Sequence, residues 1–496
     1  MELVILTFFP LVGVLILVLL APQQKNAMRY VALITSLLTF GLSLWVLSKF
    51  NPAGGINMAI ELPWLRLANV PVEFYLGIDG ISILMVLLTT FLIPIAILSS
   101  WNAIQEQVKG FLIFFLILET GMLGVFLALD LVLFYVFWEL TLIPMYFLIG
   151  IWGGERRIYA SIKFVLFTMS GSLLMLLAIL FLGINAGSFS QPTLMANRQL
   201  FAGAEMLLFI AFAAAFAIKV PIFPLHTWLP DAHVEAPTSG SIVLAALMLK
   251  MGAYGFLRFN LALFPEASVR AAPVMAILAI IGILYGASVA FMQKDVKKLV
   301  AYSSVAHLGF VMLGIFALNQ EGVAGGILQM VNHGISTGAL FLMVGMIYER
   351  THTREFSKFG GLWKVIPVYS GLMIVVTLSS AGLPGLNGFV GEFSILIGAF
   401  GSKVLGSPWF AGVATTGVVL AAVYLLKMIE KMFLGPVTNE ANLSLKDLSA
   451  RELATIIPLV VVIFWIGIYP QPFFNLINPA VEQLLQLVQS AAMVLH

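Results

Sequence analysis

Six ionisable side chains stand inside stretches that are otherwise apolar: Glu139, Lys219, Lys250, His307, His333 and Glu392. Carboxylates, amines and imidazoles share one capability, the reversible uptake and release of a proton. Lys219 is the most telling, in Phe216-Ala217-Ile218-Lys219-Val220-Pro221-Ile222-Phe223-Pro224. Near the centre of a bilayer helix a lysine costs roughly 2.5–3.5 kcal/mol. Pro221 cannot donate to the carbonyl of Ala217, nor Pro224 to that of Val220, so the helix must break or bend here. Broken helices with freed carbonyls beside an ionisable group are typical of ion and proton sites in transporters. The segment points to charge movement across a membrane.

The other groups fit that chemistry. Glu139, in Phe137-Trp138-Glu139-Leu140, falls near mid-span. On its own it would serve as a helix–helix hydrogen bond; opposite Lys219 it becomes a switch. Opposite charges about 4 Å apart attract by roughly 4 kcal/mol at an effective dielectric of 20. Burial disfavours a lysine's charge by a comparable amount, so the state of Glu139 would decide whether Lys219 keeps its proton. Lys250 ends the run Ile242 to Leu249, too deep for easy snorkelling, whereas Lys163 begins its span and can snorkel. Glu119 is central in its span but isolated in sequence. His307 and His333 fall near the middle of adjacent antiparallel spans, with Tyr302, Ser303, Ser304, Asn332, Ser336 and Thr337 as a hydrogen-bonding lining. Three roles are open to them: a proton relay, which that lining favours, a structural pair, or haem ligation. His226 and His233 read as loop or helix-end residues, with Asp231 between them as the makings of a metal site.

The elements that hold these groups must be membrane helices. The 496 residues are 61% hydrophobic and 10% charged, and apolar stretches long enough to cross about 30 Å of hydrocarbon recur throughout. There are no cysteines, so this chain can form no disulfide and ligate no iron–sulfur cluster through thiolates. A net charge of +2 gives no sign of nucleic-acid binding. We expect an all-α polytopic membrane protein of about 14 transmembrane helices, near 3–21, 29–48, 79–100, 111–129, 131–150, 160–183, 205–224, 239–262, 273–292, 297–318, 323–348, 366–400 (broken), 409–433 and 454–470. The segment 479–493 should lie at the interface or pack as a terminal helix. The first span lacks a basic n-region and a cleavage site, and reads as retained rather than as a signal peptide. Basic residues crowd alternate connections, among them Arg156, Lys294, Lys297, Arg354 and Lys358, while the other set holds few, including Arg198 and Arg258. The positive-inside rule makes the first set cytoplasmic and puts both termini outside.

A weak internal symmetry accompanies this layout. Glu139 precedes Lys219 by 80 residues and His307 precedes Glu392 by 85; Lys250 follows the first pair and Lys427 the second. Glu392 follows its own break, Gly382-Leu383-Pro384-Gly385-Leu386-Asn387-Gly388. Five spans separate the two broken helices, and an odd offset reverses direction through the membrane. The expected organisation is an N-terminal segment 1–110, two inverted five-helix repeats at 111–262 and 273–433, each with a broken helix, and a C-terminal region 434–496.

Lys219 through Ser241, KVPIFPLHTWLPDAHVEAPTSGS, closely resembles the signature of the antiporter-like subunits of respiratory complex I, the NADH:quinone oxidoreductase. Ile151-Trp152-Gly153-Gly154, Leu249-Lys250-Met251-Gly252, Ala301-Tyr302-Ser303-Ser304-Val305-Ala306-His307 and Met330-Val331-Asn332-His333-Gly334 agree with it, so the likeness covers nearly the whole chain. Glu392 selects a branch, because the sister subunits and the multisubunit sodium/proton antiporters usually carry lysine there. The resemblance implies a proton-translocating subunit with Glu139 and Lys219 as the input pair, Lys250 as the central relay, His307 and His333 as further links and Glu392 as the terminal group. It implies no cofactor in this chain. NADH, FMN, iron–sulfur clusters and quinone would belong to partner subunits, and two antiporter-like sister subunits would adjoin this one in the lipid bilayer of a bacterial inner membrane. A subunit of a sodium/proton antiporter or of a membrane-bound hydrogenase complex is the alternative.

Overall fold

The computed structural model describes residues 1–494. Helices dominate because a backbone in hydrocarbon must satisfy its own polar groups. The chain runs through α1 (Glu2–Leu19), α2 (Lys25–Lys49), α3 (Ile83–Ser99), α4 (Val108–Leu127), α5 (Leu131–Trp152), α6 (Arg157–Ala186), the short α7 (Gln191–Ala196) and α8 (Glu205–Lys219). It continues through α9 (Trp228–Glu235), α10 (Thr238–Leu263), α11 (Pro265–Met292), α12 (Val296–Phe316) and α13 (Gln320–Thr351). The last five are α14 (Pro367–Ser380), α15 (Asn387–Phe400), α16 (Trp409–Phe433), α17 (Ala450–Ile468) and α18 (Gln471–Val494). Twelve helices are long and apolar enough to cross a membrane; α3, α14 and α15 are shorter apolar helices.

Side chains set some of their ends. Asp130 Oδ1 accepts from the N–H groups of Val132 and Leu133 at the start of α5, Asn319 caps α13, and Ser449 with Glu452 forms a capping box on α17. Connections meet at two opposite faces. On the basic face Gly154 N–H donates to the Glu235 carbonyl at 2.8 Å and Val296 N–H to that of Arg354 at 2.9 Å. On the other, Leu131 N–H donates to the Phe189 carbonyl at 2.9 Å. There the connection after α2 forms an antiparallel hairpin of β1 (Asn57–Leu67) and β2 (Val70–Ile78), a feature absent from the all-helical expectation. Glu73 N–H donates to Asp130 Oδ2 at 3.1 Å, which fastens the hairpin to the start of α5.

Burial separates the helices by role. α10 and α13 are buried throughout their apolar windows and α12 almost throughout, whereas α1, α2, α16 and α17 leave most of theirs exposed. The three inner helices carry Lys250, His307 and His333, so these polar groups face protein rather than lipid. The terminal helix α18 packs, through Ile477, Val481 and Val488, against the bundle.

Candidate functional site

The first break falls where the prolines demand it. α8 ends at Lys219, and the Ala217 carbonyl, denied to Pro221, accepts instead from Ile222 N–H at 2.9 Å. The Ile218 carbonyl accepts from Trp228 Nε1 at 2.9 Å, which ties α9 back to the end of α8. Gly252 of α10 admits the Phe216 carbonyl and Val220; a Cβ there would stand 2.7 Å from each. Lys219 is fully buried, its ammonium 5.3 Å from the Trp138 ring centroid and 5.6 Å from that of Phe164. The direct pairing expected with Glu139 is not formed: among the described residues Lys219 Nζ has no hydrogen-bond partner and no carboxylate within 4.0 Å.

The other four groups come together. α10 contains two π-helical stretches, Leu244–Met248 and Phe256–Asn260, on either side of Lys250. The wider turn leaves the Ala245 carbonyl to accept from Lys250 Nζ, five residues on, and aims the amine at α13. There Lys250 Nζ meets His333 Nδ1 at 2.6 Å. The His333 and His307 ring centroids are 5.8 Å apart, and His307 Nδ1 lies 2.9 Å from Glu392 Oε1. Gln329 Nε2 donates to the same oxygen at 3.2 Å, and the Tyr424 hydroxyl lies 3.4 Å from His307 Nε2. Lys250, His333, His307 and Glu392 therefore form one buried file across α10, α13, α12 and α15. With both nitrogens engaged, His307 has none free for a haem iron.

The second break places Glu392. Between α14 and α15 the chain turns through Gly382 (φ +74°) and Gly385 (φ +90°). Asn332 Nδ2 donates to the Asn387 carbonyl at 2.8 Å and Asn387 Nδ2 to that of Asn332 at 3.3 Å, pinning the start of α15 to α13. Gly391 keeps the approach close, since a Cβ would run into Gln329.

Several neighbours depart from the sequence expectation. Ser303, Ser304 and Ser336 donate to carbonyls of their own helices, while Gln329 bonds Glu392 and Tyr424 approaches His307. Lys163 pairs with Asp231 of α9 at 2.7 Å rather than simply reaching outward. His233 lies in the last turn of α9, at a helix end as expected, and is fully buried and stacked on Phe341, ring centroids 4.7 Å apart. No cluster of three metal-ligating side chains occurs among the described residues. Arg258, assigned to a connection, lies inside α10 and grips Asp79 with two bonds of 2.6 and 2.7 Å, while its Nε donates to the Tyr254 hydroxyl at 2.9 Å. Lys427 bonds the Phe291 carbonyl at 2.9 Å and stays apart from the file. Glu119 is fully buried with neither oxygen bonded. Gln329 carried a usable signal, standing four residues before His333 on one helix face. Asp79 and Arg258, 179 residues apart, carried none.

A many-helix membrane fold around a buried file of titratable groups defines a membrane protein of the ion-translocating class. The sequence profile of the family described as "NADH:quinone oxidoreductase/Mrp antiporter, TM" matches residues 128–421. NADH-quinone oxidoreductase subunit M of Rhodobacter capsulatus is 46% identical over 97% of this chain and 96% of its own length. NADH-ubiquinone oxidoreductase chain 4 of Marchantia polymorpha is 41% identical over 97% of this chain and 96% of its own. A chain of respiratory complex I from Thermus thermophilus with bound NADH superimposes with a TM-score of 0.89 at 35% identity, covering 98% of this chain and 99% of that one. The chain belongs to the NADH:quinone oxidoreductase/Mrp antiporter transmembrane family.

Proposed function

We propose that this chain is a proton-translocating subunit of the membrane part of an NADH:quinone oxidoreductase, and that Glu139, Lys219, Lys250, His307, His333 and Glu392 move the proton. The file from Lys250 to Glu392 carries the reading. Each member can take up and release a proton, and each is close enough to a neighbour to pass it on. Lys219 and Glu139 act on the file through charge, Glu139 biasing the proton that Lys219 holds. NADH, FMN, iron–sulfur clusters and quinone are assigned to partner subunits, and two antiporter-like sister subunits adjoin this chain in a bacterial inner membrane. The basic face is cytoplasmic and both termini lie outside. Each broken crossing is fourth in a unit of five, in α4 to α10 and in α11 to α16, which supports two inverted repeats and about 14 crossings in all. A role in a sodium/proton antiporter or hydrogenase complex is disfavoured by Glu392 and by near full-length identity to subunit M and chain 4.

The test is Lys250→Ala in the assembled oxidoreductase, with NADH oxidation and proton pumping recorded separately in inside-out vesicles. Fewer protons pumped per NADH oxidised is the expected result. An unchanged ratio in a properly assembled complex would exclude the relay. NADH oxidation that is indifferent to deletion of the whole chain would favour the antiporter.

A further inference from the structure

Between α5, α9 and α13 the basic face opens into a cavity of about 560 Å³, lined by Gly154, Glu235, Thr238, Lys297, Tyr348 and Arg354 among others. We propose that protons enter the relay through this cavity, by way of Lys297 and His233. The proposal rests on the proton-translocating reading above and adds the route by which the file is fed.

Lys297 is the innermost basic group of the cavity wall. Its side chain is turned inward and its ammonium donates to the carbonyls of Ala236 at 2.6 Å and Val234 at 3.2 Å, with no carboxylate within 4.0 Å among the described residues. It is therefore docked on the residue next to His233. His233 is fully buried, and neither ring nitrogen bonds any described residue. A buried imidazole without partners is costly and calls for an explanation. Its position supplies one: it is the neighbour of Val234, whose carbonyl Lys297 holds, and its ring stacks on Phe341 of α13, the helix that carries His333. His233 thus joins the end of α9 that lines the cavity to a helix of the file. Lys219, by contrast, is walled by Trp138 and Phe164, and Phe216 and Val220 fill the contact between its helix and Gly252.

The step balances without any further reagent. Lys297 gives one of its three ammonium protons to a ring nitrogen of His233 and is reprotonated from the cavity. The imidazolium then releases the proton of its other nitrogen toward Lys250 and returns to the neutral ring.

Two variants of the assembled complex separate relay from packing. His233→Phe keeps an aromatic ring on Phe341 but carries no proton. Lys297→Arg keeps donors for the two carbonyls but stays charged. Each should lower protons pumped per NADH oxidised by about tenfold or more. A third arm needs no relay substitution. The chain has no cysteine, so in Thr238→Cys a charged, membrane-impermeant thiosulfonate added from the basic side should block pumping relative to the same vesicles before labelling, and should not do so in the parent complex. Normal pumping in assembled His233→Phe and Lys297→Arg, with Lys250→Ala still defective, would overturn this route and leave the relay standing. Normal pumping in all three would overturn both. Where His233→Phe fails to assemble, pumping by Thr238→Cys that is insensitive to the reagent overturns the route.

Discussion

Glu392 receives two hydrogen bonds on one oxygen, from His307 and Gln329, and it closes the file. Glu392→Gln keeps size and hydrogen bonding but ends titration, so pumping should fall severalfold; Glu392→Asp keeps the carboxylate and should retain part of it. The ratio of protons pumped to NADH oxidised in the assembled complex decides, and a near-normal ratio for Glu392→Gln would make the carboxylate structural. Lys219→Arg, which cannot release its proton, should fail like Lys219→Ala. At this scale the sequence was legible in residue type and illegible in partnership. An ionisable group in an apolar run announces itself, and all six candidates were found that way. Which groups meet depends on helix rotation, and that is set by features such as the π turns beside Lys250, which no periodicity marks. Glu139 and Lys219 were expected in contact, and Lys219 instead faces the rings of Trp138 and Phe164, which read in sequence as ordinary apolar residues.

Elements differ in how plainly they can be read. Spans were legible because a run of about 20 apolar residues has few alternatives, and both breaks were legible because proline and glycine leave little choice. The hairpin was not, since Pro63 and Pro71 interrupt its alternation. Its Glu73 makes a test. Burial, followed by the Glu61 carboxylate, pushes Glu73 up from 4.5 to about 7. The fold thus holds this proton more tightly than the unfolded chain. The resulting stabilisation is present below about 4.5 and lost as pH rises through about 7. Hydrogen exchange in the hairpin should quicken between pH 5 and 8, and Glu73→Gln should flatten that trend; an equal rise in both would remove Glu73 as its cause. The Asp79–Arg258 pair joins the start of α3 to the second π turn of α10. Asp79→Ala leaves a buried guanidinium uncompensated and should cost about 3–5 kcal/mol, read as a lower melting temperature in detergent. Asp79→Leu with Arg258→Met should cost much less. Equal losses would mean that the charge pairing is not what matters.

Across the whole molecule, the file runs between helices rather than along them. Lys250, His307 and His333 each lie near the middle of their own helix, and Glu392 bonds His307 directly. Displacing one charge along the membrane normal costs about 2.3 kcal/mol per 100 mV; displacing it sideways costs almost nothing. If the file carries the proton as proposed, passage from Lys250 to Glu392 is electrically silent, and the membrane voltage bears only on the routes that join this passage to the two aqueous faces. Slowing the sideways step with His307→Gln should reduce turnover by the same factor whatever voltage is imposed on proteoliposomes, and a defect that deepens with voltage would mean that the step is tilted toward the normal. On that reading the exchange of protons among side chains is kept on an isopotential plane, where the energy that drives it need oppose no field.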